Sequence, residues 1–69
     1  MGDTYKLTTL VGESPAGIEE AVREALATSA SKVHGQSWAQ VKDIRANLGT
    51  AGDVQLWQVE VEVAFKVDA

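Results

Sequence analysis

The chain has 69 residues, no cysteine and one histidine, and its 10 Asp and Glu outnumber 6 Lys and Arg for a formal net charge of −4. A chain this short buries only about 60% of the surface its unfolded form exposes, and without cysteine it has neither disulfides nor thiolate–metal sites to compensate. His34 alone cannot found a zinc site, so no metal is expected, and oligomerisation is the remaining route to stability.

The cations are scattered and outnumbered, the opposite of the clustered charge that neutralises phosphates; nucleic acid and anionic membrane surfaces are set aside as partners. No apolar run approaches the roughly 18 to 20 residues that cross a membrane. The opening residues lack the basic and then apolar regions of a secretory signal, and the lack of cysteine suits a reducing compartment, so a cytoplasmic location is expected. Residues 1–69 are read as one domain, without repeats or linkers.

Residues 4–11 are rich in β-branched and aromatic types and read as a strand. Ser14 then suits an N-cap and Pro15 the first helical position, although Gly17 stands where a capping box would place Glu or Gln. From there Ile18, Val22, Ala25, Leu26, Ser29, Ala30 and Val33 recur at helical spacing as one apolar-to-small stripe, predicting an amphipathic helix of about five turns. Glu19 and Arg23 are spaced for a weak surface pair, and Gly35 is a ready stop. Residues 36–48 read as a second strand, and residues 47–53, with two glycines and an Asn, as a hairpin turn.

The last segment carries the clearest pattern. Trp57, Val59, Val61, Val63, Phe65 and Val67 alternate with Gln58, Glu60, Glu62, Ala64 and Lys66, giving a strand with one apolar and one polar face. The fold class is therefore α+β: a three-stranded antiparallel sheet packed on one amphipathic helix, in β-α-β-β order. One helix covers one face of such a sheet. The face bearing Gln58, Glu60 and Glu62 has no second layer within the chain.

Trp38 opens the second strand and by alternation shares a face with Gln40 and Lys42. Tryptophan is enriched at protein interfaces, so an interface role is the plainer reading, and a ligand-stacking platform the alternative. Gln58 offers one acceptor and two donors, which complements a ring edge with alternating N–H and C=O groups; the plainer reading is a solvated strand residue. Trp57 has the parity of the valines and is expected in the core. Glu60 and Glu62 stand about 7 Å apart on one strand face but lack a nucleophile or further ligands beside them, so acid–base work is not expected. Gly49 and Gly52 form no phosphate-binding motif. Arg45 could meet a phosphate or carboxylate in bidentate fashion, with a salt bridge as its default role.

Together these residues resemble the dodecin family, over nearly the whole chain. The likeness rests on Tyr5-Lys6 and Leu10-Val11-Gly12 in the first strand, on Ser14, on Ser37-Trp38-Ala39-Gln40-Val41, and on the closing Trp57-Gln58-Val59-Glu60-Val61-Glu62-Val63-Ala64-Phe65. The resemblance implies a hollow homododecamer in which flavins, FMN in bacterial relatives with riboflavin or FAD as alternatives, bind as antiparallel stacked pairs. Trp38 from each of two subunits would sandwich the pair and Gln58 would hydrogen-bond the isoalloxazine edge. Arg45 aligns with an arginine directed toward the FMN phosphate, and Asp43 lies where a side chain approaches the ribityl chain. Some relatives also bind coenzyme A, for which no residues carry over. The chain departs from the family at Gln40, often acidic, and at Ala39, often aromatic. The implied role is non-enzymatic flavin storage with photoprotective quenching. A purely structural oligomer is the alternative, and a flavin-dependent enzyme the weakest one.

Overall fold

The computed structural model describes residues 2–67. Strand β1 (Thr4–Ser14) leads to helix α1 (Ile18–Lys32), then β2 (Gln36–Leu48) and β3 (Val54–Val67). The sheet is antiparallel in the order β1-β3-β2, so the strand with the strictest alternation is the central one. β1 pairs with β3 without a slip from Thr4↔Val67 to Ser14↔Trp57. β2 pairs with β3 less regularly, with register shifts at Gln36/Trp38, Val41/Asp43 and Asn47/Leu48.

The expected β-α-β-β architecture is present, with β2 bounded as the sequence predicts. The helix differs at both ends. Ser14 does not cap it: it remains in β1, where the following proline favours extended backbone, and its Oγ accepts the Ala16 N–H at 3.0 Å in a local turn. The helix begins at Ile18, behind Gly17, whose φ of 150° and ψ of 179° belong to a region open essentially to glycine alone. At the other end the Val33 N–H bonds the Ser29 carbonyl at 3.0 Å. Gly35 (φ 92°) serves the next element instead, its carbonyl accepting the Lys66 N–H at 3.2 Å where β2 docks on β3.

The buried face of α1 is Ala21, Ala25 and Ser29, one residue per turn, with Val22 and Leu26 flanking it; Ile18 and Val33, placed on the stripe by spacing, are exposed. The rotation follows from Gly12 in β1. With no side chain there, the helix backbone approaches β1 directly, and only small residues fit the contact. Val59, Val61, Val63 and Phe65 complete the core from β3. Trp57 has their parity but is only half-buried, because its partner Ser14 lies before the helix starts.

The helix covers β1 and β3 and leaves β2 bare: every one of its 13 residues is exposed, Val41 and Ile44 on the helix side included. The radius of gyration of 14.3 Å exceeds the roughly 11 Å of a compact domain this long. Long strands and a small core have made a flat slab of 55 × 20 × 13 Å, a shape suited to burial against other subunits.

Candidate functional site

The sheet face away from α1 holds all four residues singled out from the sequence. Register places Trp38 opposite Ala64, Gln40 opposite Glu62, Asp43 opposite Glu60 and Arg45 opposite Gln58. From β1 the same face receives Tyr5, Leu7, Thr9, Val11 and Glu13, partners of Lys66, Ala64, Glu62, Glu60 and Gln58. Strict alternation from Trp38 would turn Asp43 and Arg45 toward the helix. The irregularity between Val41 and Asp43 makes Lys42 the extra residue and brings both back to the open face.

Three of the four residues converge. Arg45 Nε donates to Gln58 Oε1 at 3.2 Å, and Arg45 Nη1 to Asp43 Oδ2 at 3.4 Å. Asp43 Oδ1 accepts the Ile44 N–H at 2.9 Å, which holds the carboxylate in place. Gln58 Nε2 donates to Glu13 Oε1 at 2.9 Å. A chain of hydrogen bonds, Glu13–Gln58–Arg45–Asp43, therefore crosses all three strands. It leaves Gln58 one N–H and one lone pair, and leaves Arg45 Nη2 free of these bonds.

Trp38 is not part of this group. Its partner Ala64 and the Arg45 partner Gln58 are six residues apart on β3, which is about 20 Å along the strand. At its own end of the sheet Trp38 meets Tyr5, ring centroids 6.4 Å apart and planes inclined at 50°, within the usual range for aromatic pairs. The indole is 47% exposed. Beside it, between α1 and β2, lies an open cleft of about 190 Å³ lined by Leu26, Gln36, Ser37, Trp38, Ala39 and Val63, smaller than the roughly 300–1,000 Å³ of enclosed ligand pockets. One subunit thus presents two half-surfaces, an aromatic one around Trp38 and a polar one around Gln58.

Residues 4–68 match the family model described as Dodecin. The chain belongs to the dodecin family. A curated dodecin of Thermus thermophilus is 41% identical over 68 residues, covering 99% of this chain and 97% of its own. The solved structure of dodecin from Streptomyces davaonensis superposes with a TM-score of 0.90 at 32% identity over the full length of both chains. Dodecin from Streptomyces coelicolor gives 0.90 at 31%, covering 97% and 94%. Dodecins are, in general, small dodecameric flavin-binding proteins, and the three-stranded sheet packed on one helix matches their subunit.

Two residues of this face escaped the sequence reading in any functional role. Tyr5 and Glu13 lie on β1, and only the pairing of β1 with β3 sets them beside Trp38 and Gln58. The signal available was the odd-numbered parity they share along β1. Among the described residues no helix is long and apolar enough to cross a membrane.

Proposed function

We propose that this chain assembles into a homododecamer that stores and quenches flavin, binding FMN or riboflavin as stacked pairs between Trp38 side chains of two subunits. The observation that carries the reading is the separation of the two half-surfaces. Trp38 and Gln58 share one uncovered face, yet lie about 20 Å apart, farther than one tricyclic ring system reaches. A flavin stacked on Trp38 of one subunit meets Gln58 of another. Each complete site is then a product of assembly, in keeping with the dodecamers of the family.

The donor set fits the ligand. Gln58 keeps one N–H and one lone pair for the pyrimidine edge, which carries alternating C=O and N–H groups. Arg45 keeps Nη2 for a phosphate, and Asp43 stands beside it for the ribityl hydroxyls. An electron-rich indole lying on the ring system quenches the excited flavin by electron transfer, which makes the assembly photoprotective. A stacked pair between two indoles leaves little room for a substrate, so the role is storage rather than catalysis. Coenzyme A, bound by some relatives, has no assigned residues in this reading.

Titration of the purified protein with FMN and with riboflavin tests it: flavin fluorescence falls as each is bound, and native mass spectrometry reports a twelve-subunit species carrying flavin. Trp38→Ala weakens binding by about fivefold to a hundredfold, the range for one lost aromatic stacking contact. Unchanged affinity in that variant sinks the sandwich. A colourless dodecamer that leaves flavin fluorescence intact would instead favour a structural oligomer whose exposed Tyr5, Leu7, Val11 and Trp38 serve only subunit contacts.

A further inference from the structure

We propose that Glu13 is a positioning residue for flavin, fixing the amide of Gln58 in one of its two orientations. The inference rests on the flavin-binding reading and adds to it a residue that touches no ligand itself. Donor and acceptor chemistry decides the orientation. A Gln amide can rotate half a turn about its last bond and exchange its carbonyl with its NH2, and only its neighbours decide between the two states. Here the neighbours are of opposite kind. Arg45 is a pure donor and faces Oε1 at 3.2 Å; an ionised Glu13 is a pure acceptor and faces Nε2 at 2.9 Å. The flipped amide would set carbonyl against carboxylate and NH2 against guanidinium, losing both bonds.

The two clamps differ in what else they do. Arg45 also pairs with Asp43 and has Nη2 available for a phosphate. With Nη2 given to a phosphate as well, the guanidinium is shared among three acceptors, and its hold on Gln58 weakens. Glu13 pairs with Gln58 across the β1–β3 ladder, at Glu13↔Gln58, and makes no second hydrogen bond or ion pair among the described residues. It therefore keeps the amide oriented while Arg45 is occupied elsewhere. The bond is charge-assisted, and burial in an assembled site strengthens it further. The orientation decides which group of the flavin edge meets a donor and which an acceptor, so Glu13 sets recognition of the N3–H position without contacting it.

The test compares FMN with its N3-methyl analogue, which lacks the N3–H donor, as ligands of the parent, Glu13→Gln and Glu13→Ala assemblies, with native mass as the check on assembly. The parent discriminates against the methyl analogue. In both variants FMN affinity falls by about two- to tenfold, the scale of one hydrogen bond, while the analogue changes little, so that the ratio shrinks. A loss of folding or assembly would weaken both ligands alike and leave the ratio unmoved. If the parent binds FMN, the variants keep the parental native mass, and the ratio is the same in parent and variants, the positioning role is overturned and the flavin reading stands. If the parent binds neither ligand, both are overturned.

Discussion

Gly12 lies so close to Ala21 that a β-carbon on it would stand 2.0 Å from the Ala21 carbonyl oxygen and 2.8 Å from the Ala25 side chain. The first obstacle is backbone, which cannot rotate away. This contact joins the helix to β1 and so fixes which face of the sheet is covered and which is left open.

Gly12→Ala is therefore expected to push α1 off the sheet, at a cost of about 3 kcal/mol or more, the upper range of overpacking. Gly52→Ala is the control. Gly52 has a φ of 84° and open space around it, so the cost is backbone strain alone, about 1 to 2 kcal/mol. Denaturant unfolding of both variants checks the order; equal losses would show that the close approach at Gly12 is not what limits packing.

The bare β2 strand predicts that stability depends on assembly. Val41 and Ile44 are 44% and 45% exposed on the helix side, although apolar, and an edge strand of 13 residues is a template for pairing or burial. Ile44→Lys puts an unpaired charge there and is expected to cost about 3 kcal/mol or more per buried site. Native mass should shift to small species, and circular dichroism should show loss of structure with it, because the subunit's own core is small. The parent's melting temperature should rise with protein concentration. A folded, monomeric Ile44→Lys chain would show that the subunit stands alone.

How much of this was legible in the sequence depended on whether the deciding contact was local. The alternation from Trp57 to Val67 marked β3 and its buried face directly, and the glycine-containing turn at residues 47–53 closed β2. The helix start was misplaced because Ser14 can serve a turn as readily as a cap. The helix face was rotated because its small residues answer to Gly12, far along the chain. At the site, Trp38 and Gln58 stood out by type, but parity counted on from Trp38 would turn Asp43 and Arg45 to the other face. No glycine or proline marks the extra residue at Lys42 that returns them. Glu13 was silent for a similar reason: its partner lies 45 residues away.

Arg45 separates the two candidate flavins. With Nε on Gln58 and Nη1 on Asp43, its remaining amino group, Nη2, takes no part in these bonds and can meet a phosphate. Arg45→Ala is expected to reduce FMN affinity by about ten- to a hundredfold, the range of a lost charge-assisted hydrogen bond. Riboflavin has no phosphate and should lose only the support Arg45 gives Gln58, about threefold or less. Parallel fluorescence titrations at low and high salt measure both, and the FMN advantage should shrink with salt in the parent. Equal losses for the two ligands would mean that Arg45 acts through Gln58 alone.

The separation of Trp38 from Gln58 makes the most discriminating prediction, because it concerns which subunit supplies each residue. A homogeneous Trp38→Ala assembly lacks the indole at every site, and a homogeneous Gln58→Ala assembly lacks the amide at every site. If each flavin draws the two residues from different subunits, a mixed assembly contains pairs in which one contact is doubly deficient and its mate complete. Unfolding the two variants together and refolding them as a mixture should then recover positions that hold an indole and an amide together, visible in a riboflavin titration as a phase tighter than either variant shows alone. The refolded parent serves as the reference, and each variant refolded alone should lack that phase. If a single subunit supplied both residues, mixing could never rebuild a site, since no subunit in the mixture carries both. A mixed assembly confirmed by native mass but without the tight phase would place Trp38 and Gln58 in the same half-site, against the 20 Å that the register puts between them, a span of about six residues of strand.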